Sequence, residues 1–300
     1  MKAVVCSEHG LPDKLKLDTN WPAPEVGEHD VLIDVKAAGL NFPDVLMIQG
    51  KYQSQPEMPF VPGGELAGVV AAVGDKVTRY KAGDKVIAST GVNAFCEQVA
   101  VHELGAFPMP DALSFEQAAG VCITYFTTYH AFKQRAQLKA GESLLVLGAA
   151  GGVGTTAVEL GKLMGAKVTA CASSDEKLEI CKKLGADELI NYTDIDLKAT
   201  LKEASGGKGY DVIYDPVGGD YADPAIRNLA WNGRYLVIGC ASGPIPKVPL
   251  NLALLKGASL VGVFWGRFVG EEPERNMKNV EELWERSEEH TSELQSRSDL

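Results

Sequence analysis

The apolar positions change rhythm partway along the chain. Up to about residue 110 they fall in short alternating runs broken by Gly and Pro, the pattern of β-strands joined by tight turns. Strands are expected over residues 4–5, 15–17, 31–35, 68–73, 85–88 and 96–101, with one helical patch over 43–49. From Ser114 the period lengthens. Ser114-Phe115-Glu116-Gln117 reads as a capping box that opens a helix, and a second helix is expected over residues 124–136. After that, strands over 144–147, 167–172, 188–190, 211–215, 234–238 and 259–263 alternate with helices over 155–164, 174–184, 197–204 and 222–229. Alternating strands and helices specify a doubly wound parallel sheet, so the chain is an α/β protein with a β-rich part ahead of a Rossmann part.

The centre of that second part is SLLVLGAAGGVGTTAVELG, residues 143–161. An apolar strand stops at Gly148, the turn Ala149-Ala150-Gly151-Gly152-Val153-Gly154 follows, and helix-period apolar residues come next. In this context a G-x-G-x-x-G pattern means dinucleotide binding. Gly151 lets the backbone approach a pyrophosphate, Gly154 lets the helix pack closely on the strand, and the N–H groups of the first helical turn bind phosphate. Ala149 stands in place of the first glycine. The same residues would serve an ordinary β-to-α turn; the strand–helix rhythm downstream favours the dinucleotide reading.

Three hundred residues suit two domains, and 45% apolar with 23% charged residues is the composition of a globular protein. A net charge of −11 argues against nucleic acid or an anionic membrane as partner. Six cysteines with no C-x-x-C pair and no Cys/His cluster suit free thiols in a reducing compartment. The start, MKAVVCSEHG, lacks a signal-peptide core, which leads to a cytoplasmic expectation. Residues 286–296, RSEEHTSELQS, resemble the translation of a sequencing-library adapter. The expectation is that residues 286–300 are a readthrough tail replacing native sequence, with reduced stability as the result.

Several motifs now match a family in order along residues 1–285: KAAGLNFPDVL (36–46), PFVPGGELAGVV (59–70), ITYFTTYHAF (123–132), LGAAGGVG (147–154), KLGADELINY (183–192), YDVIYDPVGG (210–219) and GRYLVIG (233–239). Together they resemble the medium-chain dehydrogenase/reductase superfamily, in its zinc-free quinone oxidoreductase branch. The resemblance implies a GroES-like β-rich catalytic domain over residues 1–122, a Rossmann NADPH-binding domain over 123–265, and the start of a returning catalytic segment over 266–285.

In the alcohol dehydrogenases of that superfamily the catalytic metal ligands align with Asn41, Gly64 and Ile123 here. Neither an amide, nor a glycine, nor an isoleucine is a zinc donor, so no metal is expected. Without a Lewis acid to hold an alkoxide, alcohol oxidation loses its electrostatic element. Reduction of a quinone or conjugated enone needs less help, because charge delocalises over the acceptor.

NAD-preferring Rossmann folds carry an acid at the tip of the second strand, where it grips the ribose 2′-hydroxyl. Here that tip reads Cys171-Ala172-Ser173-Ser174, with Lys177 one turn on, a set suited to a 2′-phosphate. Asp175 is the rival, and Ser174-Asp175-Glu176-Lys177 is also a plain helix start. The local chemistry favours NADPH; the resemblance points the same way and adds Tyr192.

The resemblance further places Asn41, Tyr52 and Thr127 toward the nicotinamide and the acceptor, and the backbone of Ile238, Val263 and Phe264 around the nicotinamide. Tyr52 would serve equally as a half-buried aromatic prop. Leu46 stands where several quinone reductases carry a tyrosine. Phe264, Trp265 and Phe268 suit a flat acceptor, core packing or a subunit contact. The implied function is metal-free hydride transfer from NADPH to a small-molecule electrophile, a quinone or related α,β-unsaturated carbonyl. The alternatives are an enoyl-thioester or alkenal reductase, and a nucleotide-binding protein with little turnover. The resemblance also implies a homodimer, through the edge strand at residues 260–263.

Overall fold

The antiparallel first part begins with β1 (Ala3–Val5) paired to β2 (Lys16–Asp18). Five further strands follow: β3 (Asp30–Gly39), β4 (Glu65–Val73), β5 (Lys85–Ser89), β6 (Gln98–His102) and β7 (Ala106–Pro108). They lie in the order β6-β3-β4-β5-β7, all neighbours antiparallel. Val31 and Ile33 alternate into a core with Leu66, Val70, Val86 and Val99, so period-two patterning sets which face is buried. Between β3 and β4 lies α1 (Phe42–Ile48), and α2 (Phe115–Ala118) begins at the expected capping box. There Ser114 N–H donates to Gln117 Oε1 at 2.9 Å and Gln117 N–H donates to Ser114 Oγ at 3.3 Å.

The computed structural model describes residues 1–289 of the chain, with 286–289 the only part of the expected readthrough tail inside that range. The described residues divide into two units, one of Met1–Ile123 with the segment from Val269 onward, the other of Thr124–Phe268. The helix expected over 124–136 is wound partly as π-helix: π turns at Cys122–Phe126 and Ala131–Ala136 flank α3 (Thr127–His130). Thr128, Tyr129, His130, Ala131 and Phe132 are all buried in succession. An α-helix presents one stripe, and this run is buried on more than one side.

The second unit is the doubly wound sheet. Its strands are β8 (Ser143–Val146), β9 (Lys167–Ala172), β10 (Glu188–Asn191), β11 (Tyr210–Asp215), β12 (Leu229–Val237) and β13 (Ser259–Gly262). All are parallel, in the order β10-β9-β8-β11-β12-β13. Numbered from β8, that is the 3-2-1-4-5-6 order of a dinucleotide-binding sheet, whose order reverses between β8 and β11. Leu144, Leu145, Val146 and Leu147 are completely buried, which is why this strand reads as an unbroken apolar run. The crossovers are α4 (Gly152–Leu163), α5 (Asp175–Lys183), α6 (Leu197–Ala204), α7 (Ala222–Arg227) and α8 (Asn251–Lys256). Then follow α9 (Trp265–Glu271) and α10 (Pro273–Glu289).

Some boundaries differ from expectation for identifiable reasons. The helix after the glycine turn starts at Gly152 rather than Thr155, because Gly151 is the N-cap (φ −79°, ψ 170°) and the next glycines join the helix. α7 stops at Arg227 and β12 begins at Leu229 instead of Arg234. The exposed Trp231 and Asn232, the latter at φ 61°, disguise the start of that strand. α8 is hidden in the sequence by Pro244, Pro246 and Pro249 just ahead of it. α10 is hidden because its buried face at i, i+3, i+4, i+7 is Asn276, Asn279, Val280, Leu283, half of it polar.

Candidate active site

Two residues past the end of β8, Gly148 turns the chain with a φ of +57°. Gly151 N–H donates to Gly148 O at 3.0 Å, and the first N–H of the α4 ladder is Thr155 to Gly151 O at 2.8 Å. The N–H groups of Gly152, Val153 and Gly154 therefore precede the ladder, at the positive end of the helix dipole. A Cβ on Gly154 would lie 2.2 Å from Gly148 O and 2.8 Å from the backbone of Ala149, so only glycine lets α4 sit this close. A Cβ on Gly151 would meet only Gly148 O, at 3.3 Å, and one on Gly152 only Thr124 Cγ2, at 3.5 Å. Packing within the chain thus demands Gly154 and leaves the space at Gly151 for something else. Ala149 is completely buried, and its N–H is engaged by Cys171 O at 2.9 Å.

At the tip of β9, Lys177 Nζ donates to the Ser173 hydroxyl at 2.9 Å, with both residues exposed. Ser174 caps α5, its Oγ accepting from Lys177 N–H at 3.4 Å. Asp175 is taken up elsewhere: its Oδ1 accepts from Asn191 Nδ2 at 2.9 Å. Thr193 Oγ1 donates to Ser173 O at 2.9 Å and ties the tip to the end of β10. Tyr192 follows β10 with its ring 4.6 Å from that of Tyr221, and burial pushes its hydroxyl up to about 12.

Farther along the same carboxyl edge, the buried Asp215 accepts from the N–H groups of Val217 (2.7 Å) and Gly218 (2.8 Å) and from the Tyr235 hydroxyl. Burial raises its carboxyl above the usual range. Ile238 N–H donates to Asp215 O at 3.0 Å, and Val263 N–H to Val237 O at 3.1 Å. Ala149, the glycines, Ser173, Tyr192, Ile238 and Val263 thus share the strand-end edge of one sheet. Phe264 is half-exposed there, whereas Trp265 and Phe268 are core residues against Phe126 and His130. Thr127 opens α3, half-buried, and its neighbour Thr128 is fully buried between the Thr156 and Tyr214 hydroxyls at 2.8 and 2.9 Å.

Asn41 and Tyr52 lie in the other unit, on either side of α1. Asn41 Nδ2 donates to Glu65 Oε1 at 2.6 Å, and Asn41 N–H donates to Asp44 Oδ2 at 2.8 Å. Glu65 Oε2 accepts from Ile123 N–H at 2.9 Å. Burial raises the Glu65 carboxyl to about 7 against the pull of the Ile123 and Asn41 hydrogen bonds. Burial also raises Asp44 and the Cys122 thiol. The Tyr52 ring packs against Cys6, Met47, Ile48 and Phe60, and burial followed by the Asp44 charge raises its phenol. Asp44 and Glu65 were not singled out from the sequence. The signal was there: one acid inside the apolar stretch PFVPGGELAGVV, another two places after Phe42 on a short apolar helix.

Residues 27–142 match the alcohol dehydrogenase GroES-like domain, and residues 152–283 match the zinc-binding dehydrogenase family. The quinone oxidoreductase-like protein 2 homolog of Nematostella vectensis is 38% identical over 286 residues, 95% of this chain and 78% of that protein. Among solved structures, the quinone oxidoreductase of Pseudomonas syringae pv. tomato is 34% identical, with a TM-score of 0.88 over 95% of this chain and 87% of that one. The Escherichia coli quinone oxidoreductase complexed with NADPH is 31% identical, with a TM-score of 0.88 and the same coverage of both chains. The zinc in the second family's description does not fit the donor set here. Asn41 turns its amide to Glu65, Gly64 has no side chain, and Ile123 has no donor atom. No three His, Cys, Asp or Glu side chains gather into a metal-binding group among the described residues. On fold, glycine turn and relatives together, the chain belongs to the quinone oxidoreductase branch of the medium-chain dehydrogenase/reductase superfamily and is an oxidoreductase.

Proposed function

We propose that the chain is an NADPH-dependent reductase of quinones or related α,β-unsaturated carbonyls that works without a metal ion. The observation that carries this reading is the chemistry of positions 41, 64 and 123, an amide bound to a buried carboxylate, a glycine and an isoleucine. That set cannot hold a Lewis acid on an alkoxide, which leaves acceptors whose own conjugation spreads the charge.

The cofactor fits the residues present. The N–H groups of Gly152, Val153 and Gly154 would take the pyrophosphate, with Gly151 leaving it room and Ala149 closing the turn beneath. Ser173, Ser174 and Lys177 would take the 2′-phosphate, with Tyr192 beside them. Asp175 has its Oδ1 committed to Asn191, which favours Ser173 and Lys177 over it as the groups that meet the ribose. The backbone of Ile238, Val263 and Phe264 would line the nicotinamide. When bound, NADPH supplies a hydride, and the acceptor gains that hydride and one proton. Asn41 offers an amide for a ribose hydroxyl or substrate carbonyl, Thr127 a hydroxyl, and Tyr52 a phenol as one source of the proton, solvent being the other.

Leu46, half-buried on α1, makes its surroundings more apolar and favours, as a second reading, enals or enoyl thioesters. NADPH-oxidation rates over quinones, enals and 2-enoyl thioesters separate the two. Stoichiometric zinc with alcohol oxidation would overturn both, as would a folded protein that does not bind NADPH.

The functional form we propose is a homodimer. Among the described residues β13 ends the sheet with only β12 beside it, and Leu250, Leu254 and Leu255 on and next to α8 are at least 70% exposed. An open strand edge, preceded in the chain by exposed leucines, suits a second copy of the same edge.

A further inference from the structure

In the zinc dehydrogenases a metal ion draws together the three positions that correspond to Asn41, Gly64 and Ile123. Here a side chain joins two of them. Glu65 is 1% exposed and is the first residue of β4, paired with Gly39 on β3 and Ser89 on β5. One carboxylate oxygen accepts from the Asn41 amide, the other from Ile123 N–H. Room for it is built in: a Cβ on Gly39 would lie 2.5 Å from Glu65 Oε1 and 2.6 Å from Ala119 O. Gly64 completes the group, since a Cβ there would meet Ile123 Cδ1 at 3.1 Å.

We propose that Glu65 is a positioning residue that does the metal's organising work: it fixes which way the Asn41 amide faces and holds the Ile123 backbone in register with it. This rests on the reading of Asn41 as a group at the nicotinamide end. A carboxylate only accepts hydrogen bonds, so it takes the NH2 of Asn41 and sets Oδ1 on the amide's other side, toward the Asp44 N–H of the α1 capping box. The bond is charge-assisted and short, and burial makes its loss costly. Asp44 and Cys122 are the other titratable groups beside Glu65. With the carboxyl raised to about 7 by burial, the ionised form depends on its donors, Ile123 N–H, the Asn41 amide and Cys122 N–H.

The test exchanges the two functional groups. In Glu65→Gln the new amide oxygen must keep Ile123 N–H, so its NH2 faces the NH2 of Asn41, which has to turn. The double variant Asn41→Asp/Glu65→Gln restores a donor facing an acceptor and leaves an acceptor on the far side. NADPH fluorescence titration, kcat and KM with a quinone, and Tm are measured for both variants and for Asn41→Ala. We expect Glu65→Gln to fold with a lowered Tm and to lose about tenfold or more in NADPH affinity or kcat/KM, with most of both losses recovered in the double variant. Parental values for Glu65→Gln, or a double variant no better than the single, overturn the inference. A loss in Asn41→Ala with none in Glu65→Gln sinks this inference alone. Parental values in Asn41→Ala sink the reading of Asn41 and this inference with it. Should Glu65→Gln not fold, the unsubstituted protein still answers. The Asn41 side-chain amide, assigned by 15N-asparagine labelling, must show one downfield, exchange-protected proton, and a freely exchanging amide overturns the proposal.

Discussion

Lys177 donates from Nζ to the Ser173 hydroxyl at 2.9 Å, while the neighbouring acid, Asp175, is held by Asn191. The tip of β9 therefore presents a cation and a hydroxyl where an NAD-preferring fold presents a carboxylate. Lys177→Ala should weaken NADPH binding by roughly 10- to 100-fold, the equivalent of one charge-assisted hydrogen bond, and leave NADH affinity unchanged. Titrating both nucleotides into the variant checks this; an equal loss for the two would mean the lysine does not read the 2′-phosphate.

Two glycines in one turn should fail differently. Gly154→Ala puts a Cβ 2.2 Å from a backbone oxygen, so α4 must shift, at a cost of about 1–3 kcal/mol. Gly151→Ala meets only one atom, at 3.3 Å, with φ at −79°, and its Tm should stay near the parent while NADPH affinity falls. Calorimetry beside a binding titration distinguishes the two, and equal Tm losses would contradict the assignment of Gly151 to the ligand.

Tyr52 has its ring in a small core, and burial, followed by the Asp44 charge, raises its phenol. Tyr52→Phe keeps the ring and should keep the Tm. If the phenol delivers the proton, the variant slows enone reduction, where carbon must be protonated, more than quinone reduction, where solvent protonates an oxygen. Equal effects on the two acceptors would leave Tyr52 as a packing residue.

Arg234 clasps Glu142 with two bonds, Nη1 to Oε1 at 2.9 Å and Nη2 to Oε2 at 2.7 Å. Burial opposes ionisation, but Arg234 and Lys139 N–H outweigh it and bring the Glu142 carboxyl below its usual 4.5. A depressed carboxyl stabilises the fold above its unfolded pKa and loses that contribution as pH falls through the folded value. Glu142→Gln should thus cost on the order of 1–2 kcal/mol at neutral pH, and the gap from the parent should shrink below about pH 4.5. Urea melts at pH 7 and pH 4 read it out; a gap that does not change with pH would refute it.

Leu254 and Leu255 are exposed on α8, which leads in sequence into the edge strand β13. Leu254→Asp with Leu255→Asp should convert a dimer to a monomer by light scattering, with the far-UV spectrum intact. A parent that is already monomeric would reject the proposed dimer outright.

What the chain by itself settles is local. The β8–α4 turn, the Ser114 cap and the serine and lysine after β9 depend on residues a few places apart, so spacing and side-chain type suffice to read them. Alternation likewise separates an antiparallel part from a parallel one, because period-two and period-3.6 patterns follow from backbone geometry. The tertiary structure decided the rest. Glu65 meets Asn41 across 24 positions and Ile123 across 58, and no local pattern carries that pairing. Trp265 and Phe268 turn into the core rather than outward only because Phe126 and His130 arrive beside them. The buried asparagines of α10 conceal its helical period. Residue type sets what a side chain can do; burial and distant neighbours determine which of those things it does, because desolvation and hydrogen-bond partners exist only once the chain has folded.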